Sequence, residues 1–234
     1  MKISVMIAAK NEADRIADCL LSVGFADEVI VVDDNSNDAT SAIAEQHGAK
    51  VFHRKLDGFA TQKNYGIDHA SNNWVLILDA DERVTPELAT EITNLKPATT
   101  TRAFSVPFRN FLGDKWLRWG GMYPDRHTRL IDKRYAHYGT REVHEMLEVD
   151  GDTGELKGDI IHLTYANYRE YLDKVVKYAR LEADYTEHRP RYRHAFKVFL
   201  GRFITQQGFR DGFAGLMSAG LLGYYQIVIR RSMP

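Results

Sequence analysis

The chain has 234 residues, 44% of them hydrophobic and 27% charged, enough for one large globular domain or a domain with a substantial appendage. Its single cysteine, Cys19, excludes an intramolecular disulfide and a cysteine-based zinc cluster, and a net charge of −1 argues against a dedicated nucleic-acid binder. The charge is uneven: from Pro190 to Pro234 seven Lys/Arg face one Asp, +6, which leaves −7 for the rest.

Strand and helix signals alternate through the first hundred residues. Ile3 to Ala9 reads as a buried strand, and the polar residues that follow at once, with no small-residue cleavage site, argue against a secretory signal and for a cytoplasmic protein. Glu12 to Val23 has helical spacing (Ile16, Leu20, Val23) with Gly24 at its end, and Cys19 falls in that pattern as a packing residue. Val29 to Val32 predicts a second strand, Asp38 to His47 a short helix stopped by Gly48, and Val51 to His53 a third strand. Gly58 to Ala70 predicts a helix, Trp74 to Leu78 a fourth strand, and Thr85-Pro86 the start of another helix, with Thr as N-cap and Pro at the first helical position. This order predicts an α/β fold with a doubly wound, mainly parallel sheet and right-handed crossovers.

From Arg102 to Leu163 short extended runs (Ala103 to Arg109, His127 to Ile131, Leu156 to Leu163) alternate with Gly, Pro and Asp turns, as antiparallel additions to the sheet would. Asn167 to Glu187 is a long helical pattern with Tyr171, Val175, Tyr178 and Leu181 on one side. Residues 1–165 are thus expected to form the main domain and 166–234 a helical appendage.

The chemistry concentrates at strand ends. The apolar run Trp74 to Leu78 stops at Asp79-Ala80-Asp81. Buried charge is costly, so carboxylates there face solvent, a cation or a ligand, and ligand crevices of open α/β sheets lie at the carboxyl ends of strands. Two hard oxygen donors suit Mg²⁺ or Mn²⁺ carrying a phosphate-bearing substrate; a solvated turn is the plainer alternative. The first strand leads into Ala8-Ala9-Lys10-Asn11-Glu12 and the second into Asp33-Asp34-Asn35-Ser36. Asp34 can accept the N3–H of a uracil, Asn11 and Glu12 can hold ribose hydroxyls, and Lys63 can meet the nucleotide or its phosphates as a point charge. Singly, each of these residues also fits turn, capping or surface chemistry.

Together, Ile3 to Glu12, Val31 to Ser36 and Leu78 to Asp81 resemble the family 2 glycosyltransferases, the inverting group with the GT-A fold. The resemblance implies that Asp79 contacts the uridine ribose side, that Asp81 coordinates the metal on the diphosphate, that Asp34 binds the base, and that near Ala8 only the backbone touches the nucleotide. Inverting transfer displaces the leaving group directly, so it needs a base for the acceptor hydroxyl and charge stabilisation for the departing diphosphate. Thr140 to Glu145 offers Glu145 as the first candidate base, Glu142 second and His144 third; where related transferases carry a Glu-Asp pair, this chain has His144-Glu145. His162, after the apolar Ile160-Ile161, is read as a strand-end histidine and a candidate ligand for the metal or the diphosphate. Arg126, Arg129 and Arg141 are candidates for phosphate contacts, and Trp116, Trp119 and Tyr123 for an aromatic platform or a packed loop.

The run from Gly120-Gly121 through Arg129, with Val143-His144-Glu145 and His162 to Tyr165, is similar to the small bacterial lipopolysaccharide core glucosyltransferases. That likeness implies a UDP-glucose donor and a lipid-linked saccharide acceptor at the inner membrane. Phe213 to Ile229 carries no charge over 17 residues, at the lower limit of a spanning helix, and is followed by Arg230-Arg231. Ser218, Gln226, two tyrosines and several small residues favour a helical pair lying in the membrane interface, with body packing or an oligomer contact as the alternative. Two rival functions share the donor half: a polyprenyl-phosphate glycosyltransferase, whose anionic acceptor hardly needs a base, and a non-catalytic UDP-binding membrane scaffold. A nucleotidyltransferase fits less well, because no Gly-rich phosphate loop with a basic residue follows the first strand.

Overall fold

The computed structural model describes residues 1–139, 147–186 and 188–233. The chain divides into two compact units, one of Met1–Pro107 with Arg126–Ile161 and one of Phe108–Asp125 with His162–Pro234.

The first unit begins with the expected alternation: β1 (Ile3–Ala9), α1 (Ile16–Ser22), β2 (Glu28–Asp33), α2 (Thr40–Gln46), β3 (Lys50–His53), α3 (Phe59–His69) and β4 (Trp74–Asp79). Then follow β5 (Glu82–Val84), α4 (Pro86–Thr93), β6 (Thr101–Leu112), β7 (Lys115–Trp116), β8 (Asp125–Asp132), β9 (Ala136–Tyr138), β10 (Leu147–Val149), β11 (Asp152–Glu155) and β12 (Ile160–Tyr165). The main sheet runs β3-β2-β1-β4-β8-β6-β12-β5. Its first four strands are parallel; β8 joins antiparallel to β4, with Trp74 opposite Asp132. β1 and the carboxyl half of β2 are buried without alternation and apolar except for Ser4 and Asp33, as strands covered on both faces are.

One core layer packs Met6, Ile30, Val32, Ile67, Val75 and Ile77 together. Gly66 lets α3 sit on the sheet: a Cβ there would lie 2.4 Å from Met6 Cγ and 2.9 Å from Val32 Cγ2. Thr85 caps α4 as expected, its Oγ1 accepting from the Leu88 N–H at 3.3 Å, with Pro86 first in the helix. α1 starts four residues later than the spacing predicts. The N–H groups of Asn11, Glu12 and Ala13 are taken by Ser36 Oγ, Thr40 Oγ1 and Asp38 Oδ2, so this stretch is a loop bonded to the next one.

In the second unit, β7 pairs antiparallel with the end of β6 through a tight turn at Gly113, whose φ is +56°. α5 (Tyr168–Ala183) is capped by Asn167, whose Oδ1 accepts from Arg169 and Glu170 N–H. α6 (Tyr192–Leu200) continues into a π-helical turn, and α7 (Phe213–Ser232) is the longest helix among the described residues. α5 buries Tyr171, Val175, Ala179 and Ala183 against Ala214, Leu221, Val228 and Ile229 of α7. The expected face differs: Tyr178 and Leu181 are exposed, because the packed ridge follows i, i+4 steps through two alanines that let the helices approach. Phe196, Phe209 and Phe213 are each more than half exposed. Among the described residues no helix is long and apolar enough to cross a membrane.

Candidate active site

The register fixes where the acidic residues stand. Ala9 pairs with Asp33 on one side of β1, and Ala8 pairs with Asp79 on the other. The ladder runs one residue further on each flank, Asp34 N–H donating to Ala9 O at 2.9 Å and Ala80 N–H to Ala8 O at 3.2 Å. Asp34 and Asp79-Ala80-Asp81 therefore leave the same carboxyl edge of three adjacent strands, two strand spacings (roughly 10 Å) apart.

On the β2 flank, Asp34 is nearly buried. Its Oδ1 accepts from the Leu56 N–H at 2.8 Å and its Oδ2 lies 2.9 Å from Lys10 Nζ. Burial pushes its carboxyl up, but the Leu56 N–H and the Lys10 ammonium outweigh it and hold the group below its ordinary value. Asn11 and Asn35 both adopt left-handed backbone, φ 53° and 48°, at the first turns past β1 and β2. Asparagine tolerates that region better than other side chains. Asn11 Oδ1 accepts from Asn37 N–H at 2.8 Å, so the two loops brace one another. Glu12 stands 3.6 Å from Arg15.

On the β4 flank, a buried ion pair holds the Asp79 turn. Glu82 is fully buried; its Oε2 accepts from the Asp79 N–H at 3.0 Å and its Oε1 from Arg129 at 2.5 Å. The Arg129 guanidinium also reaches Asp79 Oδ2 at 3.4 Å. Burial works to discharge this arginine, but the charges of Glu82 and Asp79 prevail and hold it firmly cationic. Arg129 thus stands on carboxylates, contrary to the expectation that it faces phosphate. Lys63 reaches Asp79 Oδ1 at 3.8 Å and lies over the Tyr138 ring at 5.5 Å. Two cations thus stand at Asp79, and Asp81 lies partly exposed just beyond the strand.

Cys19 is buried and its thiol is pushed up to about 12, chiefly by burial, which fits packing and not reactivity. Arg126 donates to Ser105 O and Leu156 O. Within the second unit Trp116 is stacked by Arg109 and Arg118 and meets Tyr123 edge-on, while Asp211 accepts from the Arg118 and Trp119 N–H groups. This is a packed loop. His162 is the third residue of β12 and not at its end. Its Nδ1 lies 3.0 Å from Asn110 Oδ1. Glu142, His144, Glu145 and Arg141 lie outside the described residues. Glu82, Lys10 and Asn110 escape a reading of the sequence, since each acts through a partner far along the chain.

Comparisons with known proteins agree with this architecture. Residues 4–146 match glycosyl transferase family 2. An uncharacterized glycosyltransferase of Rickettsia prowazekii is 28% identical over 95% of this chain and 83% of its own length. The lipopolysaccharide core biosynthesis glycosyltransferase LpsC of Rhizobium meliloti is 26% identical over 94% and 87%. An uncharacterized glycosyltransferase of Rickettsia felis is 50% identical, but over 92 residues that make up only 39% of this chain and 32% of the relative. Among solved structures, S. aureus TarS 1-349 in complex with UDP-GlcNAc covers 94% of this chain and 79% of its own at 15% identity, TM-score 0.51. At that identity the likeness shows the fold alone, which is GT-A.

Proposed function

The chain belongs to glycosyl transferase family 2, and on that premise we propose that it moves a hexose, glucose by resemblance, from a UDP-sugar onto a lipid-linked saccharide such as lipopolysaccharide inner core, with inversion. The observation that carries the donor half is the common carboxyl edge from which Asp34, Asp79 and Asp81 emerge. Asp34 takes the uracil N3–H. The backbone near Ala8, with Asn11 and Glu12, holds the ribose side together with Asp79. Lys63 supplies positive charge toward the phosphates. Asp81 would hold Mg²⁺ or Mn²⁺, which when bound would offset charge on the departing diphosphate.

Glu145 accepts the acceptor hydroxyl's proton as its oxygen bonds to the anomeric carbon and the bond to the diphosphate breaks on the opposite face. Much of the rate comes from holding donor and acceptor in line. The acceptor class is supported by the name of the Rhizobium relative, by the +6 balance of residues 190–234 and by the exposed aromatics of α6 and α7. These features suit peripheral association with the inner, cytoplasmic face of a membrane.

The test is UDP release across a panel of donors, with membrane lipid extract as acceptor, with and without chelator. Chelator-sensitive release on one UDP-hexose is the expected result, and no release from any UDP-hexose would refute the proposal. Glu145→Gln should cut turnover at least 100-fold; full turnover would point instead to a polyprenyl-phosphate acceptor.

A further inference from the structure

Within the second unit, the outward side of α5 carries a charge pattern that the chain itself leaves unused. Arg169, Asp173, Arg180 and Asp184 follow one another at helical spacing, so they fall on one face, and all of them are exposed. Among the described residues none of them has an ion-pair partner. Elsewhere on the same helix Glu170 and Lys174 pair at 3.4 Å, whereas Asp173 with Lys177 and Arg180 with Asp184, at the same spacing, do not. Arg169 in the first turn and Asp184 at the C-cap also sit at the helix ends whose dipole disfavours their charge. Apolar side chains accompany the stripe. Leu172 and Leu181 of α5 and Tyr224 of α7 stay exposed, and with Val176 they line a groove of about 610 Å³.

We propose that this face is the contact between two copies of the chain, their α5 helices antiparallel about a two-fold axis near Val176 and Lys177. Read from the amino end, the stripe runs plus, minus, plus, minus; reversed, it runs minus, plus, minus, plus. An antiparallel copy therefore sets Arg169 against Asp184 and Asp173 against Arg180, and symmetry repeats both pairs. A parallel copy would set like against like. The stripe sums to zero charge, so it gives an anionic membrane or an acidic peptide no net attraction and suits a partner with the same alternation. The antiparallel copy also brings Arg169 and Asp184 the opposite charge that their own helix ends lack. Lys177 lays its stem on Val176 of the copy and keeps its ammonium in water, while Leu172, Leu181 and Tyr224 supply apolar area beside the ion pairs. With 16 residues α5 is about 24 Å long, so the contact falls at the small end of specific interfaces and the dimer is reversible. It uses no residue of the proposed donor site.

The test is sedimentation velocity on the full chain, from roughly 1 to 100 μM. The mass should rise with concentration from 26.8 kDa toward twice that value, and added salt should lower it. Asp173→Arg and Arg180→Asp each bring like charges together, and each should weaken self-association about 10-fold or more. Mixed in equal amounts, the two variants should associate with one another, because every pair at these positions is opposite again. The chain carrying both substitutions should self-associate like the wild type. A single chain at every concentration, or association indifferent to both reversals, would overturn the proposal. So would two variants that are folded by circular dichroism yet stay apart when mixed. Where a reversal unfolds the chain, Asp173→Asn with Arg180→Gln takes its place: a weaker dimer is expected, and an unchanged one would refute the contact.

Discussion

The Glu82–Arg129 pair shows how a single residue can be decisive yet hard to read. Glu82 follows two aspartates that invite a metal reading, but it is fully buried and its partner lies 47 residues away. A sequence pattern reports local periodicity and exposes no such long-range pairing. Removing one member of a buried pair leaves the other charge uncompensated, so Arg129→Met or Glu82→Gln alone should cost about 3–5 kcal/mol in urea unfolding. The double variant should cost less than the sum; strict additivity would contradict the pairing. Asp34 and Asp81, by contrast, are legible because a carboxylate directly after an apolar strand must find solvent, a cation or a ligand close by.

Glu28, at the start of β2, supplies the acid dependence. Burial raises its carboxyl, but Lys50, Ser4 and the Ser71 bonds prevail and lower it from 4.5 to about 2. A depressed carboxyl stabilises the fold fully above its ordinary value, and the contribution fades as pH falls from about 4.5 toward 2. Glu28→Gln should remove about 1–2 kcal/mol at pH 7, discounted for the exposed Lys50, and flatten stability across that acid window. An unchanged acid limb in thermal melts would contradict the assignment.

At the scale of elements, the β-α alternation of the first hundred residues is legible because buried parallel strands read as unbroken apolar runs and helices end at glycine or begin at Thr-Pro. The misread face of α5 has a physical cause: Tyr178 and Leu181 look like core, yet the packed ridge runs through Ala179 and Ala183, whose smallness permits close approach of α7. β5 escaped because three residues after a charged turn carry too little pattern. α3 rests on the sheet through Gly66, where an added methyl meets Met6 and Val32. Gly66→Ala should therefore destabilise by about 1–3 kcal/mol despite its higher helix propensity. A stabilised variant in denaturant titration would show that the contact is looser than described.

For the whole molecule, the unequal charge and the exposed aromatics of α6 and α7 predict binding to anionic lipid. Vesicles containing anionic lipid should sediment the protein, neutral ones should not, and added salt should release it. Phe196→Ser with Phe213→Ser should weaken that binding at least several-fold while leaving UDP binding intact. Equal binding to both vesicle types would point to an oligomer or another partner on these helices.

The most direct measurement is calorimetric titration of UDP into the wild type, Asp34→Ala and Asp81→Ala, each with Mn²⁺ and with chelator. The wild type should bind more tightly with Mn²⁺, Asp34→Ala should bind poorly under both conditions, and Asp81→Ala should lose only the gain from the ion. Wild-type UDP affinity in both variants, under both conditions, would contradict a donor site at this edge of the sheet.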